Sequence, residues 1–266
     1  MLWIKKSKNR GVAQMPAKKF LIEKLEDRSM LSGGPITTGI YGPIPGPTNT
    51  GPSNPALLVN HVGNVTLGTP NAVVKNMKVT GGTLIVTASH VTIQNLYVDA
   101  GGNPFCIQVM PGVVGTVIQH GELLNASVAG TTGPNWVEQF MNIHAMTGDG
   151  ALASGNSTLQ TSWVHDVATN GIEIAAASTR VNVFGDNIIM PSTSNSCVFE
   201  NGRGSTTYIN GSWLDGGVYT INISGMNTMS VTSNYFGRTA GSGLIFGTAN
   251  VWANNVYADD GSLATP

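Results

Sequence analysis

Four side chains in this sequence have the chemistry to move a proton: His144, His165, Asp166 and Glu173. A glycosidic hydrolase needs two facing carboxyl groups, one acid and one base or nucleophile. Asp166 and Glu173 make such a pair if the turn between them brings both to one groove. A lyase needs a base for an acidic carbon-bound proton and cations to steady the anion that forms. His144 or His165 offers the base. Arg203 and Arg238 are scarce cations in an acidic body, and a guanidinium can hold a sugar carboxylate by two parallel bonds. Each residue also has a plainer reading. Asp166 caps a turn, Glu173 is solvated, the histidines bond turn backbone, and the arginines pair with Asp215 or Glu200 in loops. No spacing of ligands marks a metal site, and no metal or cofactor is expected.

A second group is suited to binding. Trp163, Trp213 and Tyr235 fall at one recurring position that should point outward. Flat rings on a rigid sheet offer a platform for the apolar faces of sugars. Their plainer role is to shield neighbouring strands, since Trp and Tyr are favourable strand residues.

What positions these side chains is a register that recurs every twenty-odd residues. Apolar anchors stand at Val74, Ile93, Ile118, Phe140, Leu159, Val183, Ile209, Val231 and Trp252. Five residues after each comes a second apolar column: Val79, Val98, Leu123, Ala145, Val164, Ile188, Leu214, Phe236 and Tyr257. A fixed period of this size marks a solenoid, in which each repeat buries its face against its neighbours. Three residues after the anchor the later rows carry Ser162, Asp186, Ser212, Asn234 and Asn255, which predicts polar side chains stacked along the axis. The strand before each anchor turns Gln108, Glu173, Phe199, Asn222 and Ile245 outward. The fold expected is all-β: a single-stranded right-handed parallel β-helix of about nine coils.

Composition agrees. Charged residues are 10% of the 266, and Gly alone accounts for 34. That suits short strands and turns rather than helices. Residues 34–266 hold five Lys/Arg and eleven Asp/Glu, a net of −6 without a basic stripe, which argues against nucleic acid as partner. No apolar run is long enough for a membrane span. Cys106 and Cys197 precede anchors four rows apart, roughly 19 Å at strand spacing and too far for a disulfide.

Three segments follow. Residues 1–33 carry eight Lys/Arg and three Asp/Glu and form a basic, unstructured leader. Residues 34–56 are a Pro/Gly-rich linker, expected to be extended with few contacts. Residues 57–266 are the β-helix.

Two resemblances add to this reading. Leu25-Glu26-Asp27-Arg28-Ser29-Met30-Leu31-Ser32 resembles the leader of planctomycete-type surface and secreted proteins, which implies export. The late rows contain Trp163-Val164-His165-Asp166, Trp213-Leu214-Asp215-Gly216-Gly217, Asn234-Tyr235-Phe236-Gly237-Arg238 and an ending at Asp259-Asp260. In this order they resemble bacterial extracellular β-helix proteins of the pectate-lyase-like superfamily. Where those relatives carry His and Asp before a Gly-Ile-Gln segment, this chain has Ala168, Asn170 and Glu173. The resemblance implies an extracellular or cell-surface protein whose partner is polysaccharide. The sparse carboxylates favour binding without strong catalysis; the alternative is a lyase or glycoside hydrolase using Glu173 and His165. Oligomeric state is left open by the sequence.

Overall fold

A computed structural model describes residues 36–175, 180–201, 204–225 and 228–266. The leader motif at 25–32 and Arg203 lie outside the described residues.

The chain winds into a parallel β-solenoid of about nine turns. Its first face is a nine-stranded sheet running from Val65–Leu67 through Phe105–Val109 and Asn170–Ile174 to Gly243–Phe246. The second and third faces share one larger sheet. In the first three rows a single long strand covers both, Val73–Thr80, Thr92–Asp99 and Thr116–Leu124. From row 4 the strand breaks in two, as in Ser157–Gln160 with Trp163–His165. Except at Thr38–Gly39 with Gly42–Pro43, the named strands pair in parallel.

The bend between second and third faces is one column of left-handed residues. Asn76, Asn95, His120, Phe140, Thr161, Ser233 and Asn254 have φ between 50° and 59°, and Gly185 and Gly211 stand at 66° and 64°. Asn tolerates this conformation best among residues with a side chain, which accounts for its use at three of these corners. The bend turns the second-column residues inward. Val79, Val98, Leu123, Ile143, Val164, Ile188, Leu214 and Phe236 are all buried in one continuous core.

Row 4 departs from the expected register by two residues. Glu138, not Phe140, pairs with Ile118 and Leu159, and Ile143, not Ala145, pairs with Leu123 and Val164. A carboxyl thus occupies the anchor position of this row, where the other eight rows carry an apolar residue. Glu138 is fully buried, and Thr131 Oγ1 donates to its Oε1 at 2.5 Å. Burial pushes its acid up to about 7. At the far end Phe246, not Ile245, pairs with Asn222 and continues the outward column.

The stacked polar column runs from Ser162 in row 5 onward, and the row-4 corner donates into it. Each backbone N–H donates to the side-chain oxygen one row up: Met141 to Ser162 Oγ, Ser162 to Asp186 Oδ1, Asp186 to Ser212 Oγ, Ser212 to Asn234 Oδ1 and Asn234 to Asn255 Oδ1, at 2.8–3.2 Å. These N–H groups at the tight corner have no strand partner, so the side chain in the next row satisfies them.

Residues 36–56 are not a loose linker. With the solenoid they belong to one compact unit. They form a strap that runs against the stacking direction along the third-face corner. The Ile36 N–H donates to Ala258 O at 3.0 Å, Tyr41 Oη to Asn210 Oδ1 at 2.9 Å, and Asn187 Nδ2 to Pro45 O at 2.8 Å. Farther down, the Gly51 N–H donates to Phe140 O and the Asn54 N–H to Asn95 Oδ1, both at 2.9 Å. A Pro-rich extended chain has little internal pairing, so its backbone groups are free for the corner side chains. Gly185 and Gly211 make room for it: a Cβ there would stand 2.6 Å from Tyr41 and 2.5 Å from Ile40.

Candidate functional site

The third face and its corner bring three of the predicted catalytic residues, His144, His165 and Asp166, together with one predicted binding residue, Trp163. With row 4 in its true register, His144 and His165 occupy the same column in adjacent rows. Their rings stack with centroids 5.1 Å apart and planes 6° from parallel. His165 also stacks on Trp163, two residues earlier on the same strand, at 3.7 Å. Glu122 Oε1 lies 3.0 Å from His144 Nε2. Asp166 Oδ2 lies 2.7 Å from His165 Nδ1, and Asn142 Oδ1 lies 3.1 Å from its Nε2. Tyr97 and Lys78 continue the outward column below, with the ammonium 4.9 Å from the ring centre. All these side chains except Asp166 are half-buried, with one side to solvent. Burial lowers the His165 pKa, and the neighbouring His144 adds to the effect, while Asp166 opposes it. The Trp163 indole N–H has no acceptor among the described residues.

Glu173 is not part of this group. It stands on the first face, beyond the Asp166 corner, and no hydrogen bond or ion pair among the described residues joins it to His165. Its carboxyl partner is Asp149, one row earlier, rather than Asp166. Asn170 donates to Asp149 Oδ1 from its backbone N–H at 3.1 Å and from Nδ2 at 2.9 Å, and Asn201 Nδ2 reaches Glu173 Oε1 at 3.4 Å. Burial raises Asp149 to about 7, and the Glu173 carboxyl hydrogen-bonded to it contributes. Asp149 was missed in the sequence because its row position reads as a turn residue beside Gly148 and Gly150.

The rest of the aromatic platform is covered. Trp213 and Tyr235 stack at 4.7 Å, as adjacent rows require, but they are only 4% and 6% exposed. The strap lies on them: a Cβ at Gly39 would come within 2.5 Å of the Trp213 ring, and Trp213 Nε1 donates to Ile36 O at 3.4 Å. A recess of about 170 Å³ remains beside them, edged by Ile44, Asn187, Ile189 and Asp215. Arg238 is occupied as well. It pairs with Asp259 and Asp260, both at 2.7 Å, and its guanidinium stacks 3.7 Å over Tyr257. Its partners are therefore the acidic ending of its own chain, rather than the expected Asp215 or Glu200, and it is not a free clamp for a sugar acid.

Among the described residues no group of three or more His, Cys, Asp or Glu is arranged to hold a metal ion, and no helix is long and apolar enough to cross a membrane. Cys106 and Cys197 are buried free thiols, and burial pushes Cys106 up to about 12. No known family, curated protein or solved structure matches this chain.

Proposed function

We propose that the chain is an exported, cell-surface or secreted protein that binds polysaccharide along the open lower half of the third face. The observation that carries this reading is the Trp163–His165–His144 stack, which lies in line with Asn142, Glu122 and Tyr97 on a rigid sheet. A sugar presents an apolar face and a rim of hydroxyls. Rings meet the first, while a carboxylate and an amide meet the second. Rows 2 to 5 extend this surface over roughly 14 Å at strand spacing. The leader motif and the order of the late-row motifs support export and a pectate-lyase-like affiliation. The test is a glycan array on the full chain. Retention on one glycan class, lost in Trp163→Ala with the fold intact by circular dichroism, is expected; no retention on any glycan would remove the reading.

A second reading is supported by Asp149 and Glu173. A buried acid lifted to about 7 beside a second carboxyl is protonated about half the time at neutral pH, which makes available the state a general acid needs. In this reading the first face is the groove of a hydrolase or lyase. Release of reducing ends, abolished by Glu173→Gln but not by Trp163→Ala, would favour it over binding alone.

A further inference from the structure

The two ends of the solenoid are finished differently. At the last row the C-terminal tail folds back across the end: Leu263 bridges Val256 antiparallel, Ala264 N–H donates to Asn255 O at 2.9 Å, and Trp252 Nε1 donates to Ala264 O at 2.8 Å. Charges stand around it, with Arg238, Asp259 and Asp260. The edge strands at the other end have neither device. Val59–Val62 pairs on one side with Val73–Thr80 and ends the third face, and Val65–Leu67 ends the first. Among the described residues no strand pairs with their outer edges. All four residues of Val59–Val62 are exposed, Val62 by 81%, as are Leu57 and Val73, while Val65, Leu67 and Val74 are half-buried at the open end of the core.

Exposed strand edges are ordinarily blunted by charge, and terminal repeats by a polar cap. Here no Asp, Glu, Lys or Arg occurs between residues 34 and 74. We propose that this end is an interface between two copies of the chain, joined head to head about a two-fold axis. A two-fold that crosses Val59–Val62 sets this edge antiparallel to its own copy, so the same strand is its own partner. Charges beside such an axis would meet their twins, so an uncharged edge strand is what this contact requires; the nearest charge is Lys75, on the second-face edge. Head-to-tail stacking, which would build filaments, is blocked by the tail at the other end. The open end, residues 55–74, offers 20 residues, the lower end of the roughly 20–30 per side of a standard interface. The strap enters beside Ala258 at the opposite end, so the described chain brings nothing back to cover this edge.

The experiment sizes the full chain by light scattering over a concentration series and follows amide hydrogen exchange in residues 59–67. The expected result is twice the 27.7 kDa of one copy, falling toward one copy on dilution, with the edge amides protected only in the larger species. Val62→Lys should give one copy at every concentration with unchanged circular dichroism, because Val62 contributes little to the core. One-copy mass throughout, with fast-exchanging edge amides, overturns the proposal. So does one-copy mass with protected amides, which would mean that the chain covers its own edge. A larger species that survives both Val62→Lys and Val59→Lys overturns it as well.

Discussion

Thr131 and Glu138 face each other inside the tube, hydroxyl to carboxyl at 2.5 Å, both of them buried. The second carboxylate oxygen of Glu138 has no partner. The pair therefore stands where eight other rows place an apolar anchor, and it carries a titration cost. The folded-state acid is lifted from 4.5 to about 7. A raised carboxyl makes its full contribution to stability below the unfolded value and loses it as pH rises through the folded one. By pH 8 this loss is about 3 kcal/mol.

Glu138→Leu with Thr131→Val removes both polar groups at once and restores the anchor. The double variant should gain about 1–3 kcal/mol over wild type at pH 8 and less at pH 5. Glu138→Leu alone should gain less, because it leaves the Thr131 hydroxyl without its acceptor. Denaturant melts at the two pH values check this. A double variant less stable than wild type at pH 8 would show that the carboxyl is held by more than Thr131.

Asp186 makes a related prediction within the polar column. Asn234 and Asn255 each accept a backbone N–H with one side-chain atom and donate with the other, to Ile209 O and Val231 O. Asp186 accepts from Ser162 with Oδ1, but its Oδ2 has no partner, and burial raises its pKa well above 3.8. The register places the Leu159 carbonyl where Ile209 and Val231 offer theirs. Asp186→Asn supplies the missing donor. It should stabilise the fold at pH 7 by about 1–3 kcal/mol. It should also flatten part of the stability lost between pH 4 and 7, leaving the share due to Glu138 and Asp149. An unchanged melting profile across that range would refute this.

The strap predicts a conformational handle. Gly39 passes so close to Trp213 and Tyr235 that any side chain must displace the segment. Gly39→Val should lift residues 36–41 and expose the ring pair. Acrylamide quenching of tryptophan fluorescence should rise, and the rise should vanish in a Trp213→Phe background. If quenching stays at the wild-type level, the strap is not held by this contact.

How much of this was legible in the sequence follows from which forces act locally. The anchors Ile93, Ile118 and Val231 were readable because a core column must be apolar in each row, and the polar column because Ser162, Asp186, Ser212 and Asn234 recur at one offset. Row 4 was misread because Glu138 breaks the apolar rule, and Phe140, at the left-handed corner two residues on, is an apolar residue close to the expected spacing. Restoring the corner column, with Asn76, Asn95 and Asn254 as guides, would have found the slip and set His144 beside His165. The strap was not legible at all. Its contacts run from Tyr41 to Asn210 and from Pro45 to Asn187, and long-range partners of an extended segment leave no periodic trace. For the same reason Trp213 and Tyr235 looked exposed: their alternation is outward, and what covers them comes from far away in the chain.

His165 provides the last prediction, because its environment pulls in two directions. Asp166 Oδ2 and Asn142 Oδ1 flank the two ring nitrogens at 2.7 and 3.1 Å, an arrangement that favours the charged imidazolium. Burial and the parallel ring of His144 oppose it, and the net result is a pKa below the ordinary 6.5. A histidine held neutral in this way contributes stability above its unfolded value that is lost as pH falls through that range. Asp166→Asn removes a group that favours the charge, so the His165 pKa should fall further. His144→Gln removes one that opposes it, so the pKa should rise. Asp166 touches the ring directly at 2.7 Å, so the larger shift is expected there, although its 77% exposure lets solvent screen part of it. Imidazole proton shifts followed by NMR from pH 4 to 8 separate the two. Movement of both variants in the same direction would mean that burial alone sets this titration and that the stacked pair is not electrostatically linked.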